Sequence, residues 1–209
     1  MRGTEQHTHT CLSTMKPSSF HKVELMKIVS LCHTLIAGLA LSASLSAQAA
    51  DFKVETDSQL DGRFPNAQFA NGFGCQGGNV SPHIRWQGAP ADTKSFVVTV
   101  YDPDAPTGSG WWHWVLADLP ASVHELALGA GSEPGKLPAG AVQFKHDGGQ
   151  AGYLGACPPV GQTHRYVITV HALKVDKLEL PASASPALVG FMSYVNGLGK
   201  ASTTVLAGR

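Results

Sequence analysis

The run Ser95-Phe-Val-Val-Thr-Val-Tyr101 constrains this 209-residue chain more than any other stretch. Six of its seven residues are β-branched or aromatic. An unbroken run of that kind reads as a central strand covered on both faces. Its partners are legible nearby. Trp112–Leu116 is a second such run, and Tyr166, Ile168, Val170 and Ala172 alternate with Arg165, Val167, Thr169 and His171 in a third strand. Phe52, Val54 and Thr56 alternate with Lys53, Glu55 and Asp57, a short strand with one wet face. Between the first two runs, Asp102–Gly110 holds two prolines and two glycines and cannot continue either strand. Residues 61–93 and Gly129–Pro159 are dense in loop formers, broken by short extended pieces such as Ile84–Trp86 and Ala141–Lys145. Leu188, Phe191, Met192, Val195 and Leu198 recur at helical spacing. Ser185 suits the N-cap and Pro186 the first turn. Gly190 and Gly197 weaken that helix, so it needs the sheet to pack on. The expected fold class is mostly β, antiparallel, with one helix near the C-terminus.

Composition removes several functions. Only 14% of residues are charged and 43% are hydrophobic, which excludes a disordered chain. The 23 glycines show no three-residue period, so the chain is not collagen-like. Fifteen basic residues balance fifteen acidic ones without a Lys/Arg cluster, so electrostatic nucleic-acid binding is not expected.

The first 49 residues read as a separate unit. Lys27 precedes the apolar stretch Ile28–Leu45, and Ala47-Gln48-Ala49 follows. A basic start, apolar middle and small-residue exit describe a secretory signal peptide, with Met26 as an alternative start. A membrane anchor is the competing reading, but His33, Ser42, Ser44 and Ser46 interrupt the stretch and no basic flank follows. His7, His9, Cys11 and His21 lack the spacing of a metal site. Cleavage after Ala49 would leave residues 50–209 as one domain, with 11 basic and 13 acidic residues and two cysteines, Cys75 and Cys157. In an exported protein such a pair reads as a disulfide. A periplasmic or secreted location follows from the same reading. No long amphipathic helix suggests membrane insertion.

Polar residues gather at the ends of the buried strands. Asp102 and Asp104 follow the first run, His113 opens the second, and His164 and Tyr166 open the third. Asp-Pro is also a common turn opener, and a His beside tryptophans is often a packed core residue. If the strands are neighbours, however, these groups meet on one rim, where loop residues on a rigid scaffold build sites.

Four blocks resemble the phosphatidylethanolamine-binding protein family, above all its bacterial Raf kinase inhibitor-like branch. They are Cys75-x-Gly77-x-Asn79-x-Ser81-Pro82 with Trp86, then Tyr101-Asp-Pro-Asp-Ala-Pro106, then His113-Trp114-Val115, and finally Tyr153-x-Gly155-x-Cys157-Pro-Pro159 running into Gly161-Gln-Thr-His-Arg-Tyr166. The resemblance spans Phe52 to the C-terminus. It implies a large antiparallel sheet packed on a smaller one, with a shallow anion pocket at one end. It implies ligand-binding roles for Asp102, Asp104, His113, Tyr153, Gly155, Pro159, His164 and Tyr166, and a cis bond at Ala105–Pro106.

In such a pocket His113, His164 and the amides near Gly155 and Gly161 would donate to a phosphate. The two aspartates would orient the imidazoles, favour their charged form and attract the ammonium of a zwitterion. Trp111, Trp112 or Tyr153 would supply cation–π contact. The expected function is a non-enzymatic binding protein for phosphate or phosphoethanolamine-like head groups, without metal or cofactor. It has room for a protein partner or a homodimer. Two alternatives stay open: a protease or kinase inhibitor using Gly129–Gly149 as a reactive loop, and a metal-dependent hydrolase using Asp102, Asp104, His113 and His164.

Overall fold

The computed structural model describes residues 51–209. The expected leader and the His7, His9, Cys11 and His21 group lie outside the described residues. Ten strands follow in order: β1 (Lys53–Glu55), β2 (Asn71–Gly72), β3 (Cys75–Gln76), β4 (Ile84–Gln87), β5 (Ser95–Asp102), β6 (Trp111–Pro120), β7 (Glu125–Leu126), β8 (Val142–Gln143), β9 (Thr163–Leu173) and β10 (Gly197–Gly208). One helix, α1 (Pro186–Val195), precedes β10. The strands form a five-stranded sheet ordered β10-β9-β5-β6-β8, a three-stranded sheet ordered β1-β4-β7, and the β2–β3 hairpin. Every pairing within these sheets is antiparallel.

β5 occupies the centre of the large sheet, between β6 and β9. Its alternation sorts its side chains into two cores. Phe96, Val98 and Val100 join Val54, Ile84, Trp86 and Ile168 in the core shared with the small sheet. The Trp86 and Phe96 rings meet edge to face, 5.3 Å apart. Val97 points the other way, into a second core with Val115, Phe144, Leu173 and Val189. The run that demanded cover on both faces receives it.

The helix starts where expected. The Ser185 hydroxyl accepts the Leu188 amide at 3.2 Å, and Pro186 occupies the first turn. Its buried face is not the expected one. Val189 and Ser193 are buried and Met192 packs against the second core. Leu188, Phe191 and Val195 are exposed. Asn196 caps the helix, so Leu198 belongs to β10 and cannot extend a helical stripe. Strand β10 itself was not foreseen, because glycines, serines and threonines dilute its apolar pattern. The expected cis bond at Ala105–Pro106 is absent: all peptide bonds among the described residues are trans. The Asp102–Gly110 loop reverses instead through left-handed Gly108 and Gly110.

Register brings the polar residues together. Asp102 pairs with Trp111, and Tyr101 pairs with Trp112 on one side and Val167 on the other. β5 therefore ends at the same rim where β6 and β9 begin, and Asp102, His113, His164 and Tyr166 share that rim.

Candidate functional site

Strict alternation along β6 would send His113 and Trp114 to opposite faces. The β5–β6 register slips here: Val100 faces Trp114 while Tyr101 faces Trp112. His113 is the extra residue, and such a bulge re-aims a side chain. Its ring meets Tyr166 edge to face at 5.0 Å, and its Nδ1–H donates to the Leu154 carbonyl at 2.8 Å. A carbonyl can only accept, so the neutral ring keeps its lone pair on Nε2. Burial pushes the His113 pKa down to about 4, and the nearby Asp102 charge offsets only part of that. The imidazolium expected from flanking aspartates is therefore not the resting form. Desolvation wins because the ring is buried and its protein partner is a neutral carbonyl.

On β9 alternation holds. His164 and Tyr166 face inward and Arg165 faces out. His164 Nδ1–H donates to Asp102 Oδ2 at 2.8 Å, and its Nε2 lies 2.9 Å from the Gln162 side-chain amide. Both ring nitrogens are occupied within the protein. Asp102 also accepts the Asp104 amide on its other oxygen, at 2.8 Å, which closes the turn after β5. Tyr166 is buried, and its hydroxyl lies near the Asp102 carboxylate and the Cys157 backbone but completes no well-aligned hydrogen bond among the described residues. Burial, reinforced by the Asp102 charge, raises its pKa well above the ordinary phenol range, so it stays an intact O–H.

These residues wall a pocket of about 190 Å³. Asp102, His113, Gly155, Pro159, His164 and Tyr166 line it, as do Trp111 and Cys157. Two expected members do not. Asp104 is drawn outward by Arg165, whose amide and guanidinium donate to it at 2.8 and 2.6 Å. That pairing holds the Asp104 carboxyl down to about 2. Tyr153 turns inward, and its hydroxyl donates to the Gln68 carbonyl at 2.9 Å. Of the amides in these two segments, those of Gly155 and Gly161 themselves are engaged: Gly155 N–H donates to Asn79 Oδ1 at 2.7 Å, and Gly161 N–H to the Arg209 carbonyl at 2.8 Å. Trp112 stacks at a tilt on Tyr101 at 4.5 Å, which leaves Trp111 at the pocket.

Sequence reasoning missed Phe73 and Leu154, both of which line the pocket. Phe73 sits at the tip of the β2–β3 hairpin with φ +54, beside Gly74 at φ +81. Two-residue hairpin turns with two positive φ values favour Asn-Gly, so a phenylalanine there is the legible anomaly. Cys75 and Cys157 form a disulfide that ties this hairpin to the pocket wall. Gly155 has no room for a side chain: a Cβ would run into the Phe69 and Ala70 backbone.

The His113 shift sets a pH dependence. Its folded pKa of about 4 lies below the unfolded value of 6.5, so the unfolded chain takes the proton first. The contribution is fully present above about 6.5, shrinks as pH falls, and is gone below about 4, a loss of about 3 kcal/mol. Urea unfolding at pH 7 and pH 4 checks this. Wild type is expected to lose about that much more than His113→Gln across the window; equal losses would contradict it.

An antiparallel β domain with a compact pocket at one sheet end, walled by Asp-Pro, His and Tyr residues, defines a small-ligand binding class of fold. The chain belongs to the phosphatidylethanolamine-binding protein family, whose model matches residues 54–207. It is 48% identical over 153 residues to the UPF0098 protein YbhB of Escherichia coli strain K12, covering 73% of this chain and 97% of YbhB. It is 49% identical over 175 residues to YbcL of the same strain, covering 82% of this chain and 96% of YbcL. The crystal structure of E. coli YbcL, described as a new member of the mammalian PEBP family, superposes with a TM-score of 0.73 at 47% identity. That match covers 77% of this chain and 99% of that one.

Proposed function

We propose that this protein is a non-enzymatic binding protein, exported from the cytoplasm, that takes a phosphoryl head group carrying its own proton donor. One observation carries the reading: the Tyr166 hydroxyl sits in the pocket wall near the Asp102 carboxylate and the Cys157 backbone, yet makes no well-aligned hydrogen bond among the described residues. A buried polar group left unpaired is costly, and an incoming oxygen acceptor satisfies it.

The remaining side chains define the ligand further. Among the described residues no lysine or arginine lines the pocket, and His113 is neutral at pH 7. A bare dianion meets little positive charge there. A zwitterion fits better. Its phosphoryl oxygen accepts from Tyr166, while its ammonium protons suit the His113 Nε2 lone pair and the Asp102 charge. The aromatic face of Trp111 adds cation–π attraction. Phosphoethanolamine has this chemistry. The hydrolase reading is weaker, because His164 Nδ1 and Nε2 and His113 Nδ1 already have partners that a metal would have to displace. Export rests on the apolar stretch before Ala47-Gln48-Ala49 and is in keeping with the disulfide.

Calorimetric titration tests the reading. Phosphoethanolamine is expected to bind more tightly than inorganic phosphate, with or without chelator. Tyr166→Phe is expected to weaken phosphoethanolamine binding roughly tenfold or more, the worth of a hydrogen bond to a charged group. Its unfolding free energy should not fall and should rise if it moves at all, since the variant removes a buried hydroxyl that makes no well-aligned hydrogen bond in the fold. Binding abolished by chelator, or unaltered in Tyr166→Phe, overturns it.

A further inference from the structure

A depression of about 540 Å³ opens at the end of β5 that lies away from Asp102. Phe96, near the start of β5, and Ala121, just past the end of β6, both line it. Its volume is in the range of small-molecule sites, roughly 300–1,000 Å³. The backbone around it is fixed. Gly88 turns the chain out of β4 at φ +73. The Pro90 carbonyl then accepts both the amide and the hydroxyl of Thr93, at 3.1 and 2.6 Å. Lys94 N–H donates to the Leu173 carbonyl at 2.8 Å, which ties this loop to β9. Gly199 of β10 lies against Pro90, where a Cβ would stand 3.4 Å from the proline ring. After β6, Val123 N–H closes a turn on the Pro120 carbonyl at 2.9 Å, and Trp86 N–H donates to the His124 carbonyl at 2.9 Å.

Among the described residues, no Lys, Arg, Asp or Glu lines this depression. Ala89, Pro90 and Ala121 leave room beside the Trp86 and Phe96 rings. Of the polar side chains in the lining, Thr93 is spent on Pro90, while Gln87 and His124 are exposed to water. Trp86 differs. It is 4% exposed, and its Nε1–H has no hydrogen-bond partner among the described residues. Phe96 meets the indole edge to face and offers it no oxygen. An indole N–H can only donate, and leaving it unpaired away from water is costly. A single polar group in an otherwise apolar wall is the usual means by which such a site orients and selects its ligand.

We infer that this depression is a second binding site, separate from the pocket of Tyr166 and His113, for a small uncharged aromatic molecule that carries a carbonyl oxygen. Its ring lies against Trp86 and Phe96, and its oxygen accepts the Trp86 Nε1–H. A charged ligand would surrender its hydration here without compensation. A hydrocarbon of the same shape would leave the indole N–H unpaired, so the oxygen supplies the selectivity.

The test titrates the full, isotope-labelled chain with acetophenone and with α-methylstyrene, which has the same shape without the oxygen, and follows both by NMR. Acetophenone is expected to shift the Trp86 indole N–H signal, identified by its loss in Trp86→Phe, and to leave the His113 and Tyr166 signals in place. In Trp86→Phe, which keeps an aromatic ring and removes the donor, the affinity for acetophenone should fall roughly three- to tenfold more than that for α-methylstyrene. That difference is the worth of one neutral hydrogen bond. Comparing the two probes cancels the packing lost with the indole. Ala121→Phe fills the depression from a half-buried turn position and should abolish binding of both probes, which keeps the test open if Trp86→Phe does not fold. The site is overturned if acetophenone leaves the Trp86 indole signal unmoved, or if it moves the His113 and Tyr166 signals instead. An equal loss for both probes in Trp86→Phe also overturns it, as does wild-type affinity for acetophenone in Ala121→Phe.

Discussion

Replacing Cys75 and Cys157 together by alanine is expected to lower the unfolding free energy by about 4 kcal/mol. The two cysteines are 82 residues apart, so the bond removes a large loop-closure entropy from the unfolded chain. A loss of this size is a substantial share of the total stability of an ordinary domain. Binding should suffer as well, because Cys157 lines the pocket and the hairpin carrying Phe73 hangs on the bond. Urea unfolding of the variant and of reduced wild type should agree. A change under about 1 kcal/mol in both would show that the hairpin and the pocket wall hold together without it.

The second large effect is expected at Asp102. Its carboxylate is buried and accepts from both the His164 ring and the Asp104 amide. Asp102→Ala leaves a buried imidazole N–H without its partner and opens the turn after β5. Removing one member of a buried pair destabilises by about 3–5 kcal/mol. Asp102→Asn keeps an acceptor for the His164 N–H and should lose less than half as much. Equal stability of Asp102→Ala and wild type would contradict the buried pairing. Asp104→Asn serves as the contrast. Its Arg165 partner is exposed, where screening leaves an ion pair worth little, so neither stability nor binding should change much.

The scaffold was legible where side-chain period dominates. β5, β6 and β9 are long and rich in β-branched and aromatic residues, so their existence follows from pattern, while their shared rim held only on the condition that they are neighbours, which the sheet order β9-β5-β6 meets. The rim then names Asp102, His113, His164 and Tyr166. What pattern does not carry is the choice of partner. Asp102 and Asp104 look equivalent in the chain, yet one faces His164 and the other Arg165. Alternation along β9 contains the clue, since Arg165 must point away from its neighbours His164 and Tyr166. The donors expected from Gly155 and Gly161 are consumed by Asn79 and Arg209, each more than 40 residues away, and local pattern is blind to such contacts. The bulge that aims His113 inward arises from how β5 and β6 slip past one another. The helix face was misread for a simpler reason. Leu188, Phe191, Met192, Val195 and Leu198 form a regular apolar stripe, but the sheet takes the neighbouring line of Val189, Met192 and Ser193. The stripe's other members stay in water.

In the proposed function, the Tyr166 hydroxyl, which makes no well-aligned hydrogen bond in the fold, meets the ligand. A crystal structure of the chain soaked with phosphoethanolamine tests it most directly. The phosphoryl group is expected in the pocket, with one oxygen within hydrogen-bond distance of Tyr166 Oη and the ammonium on the side of Asp102 and His113. Phosphoethanolamine bound elsewhere, or bound in the pocket with the Tyr166 hydroxyl still unpaired, would contradict it.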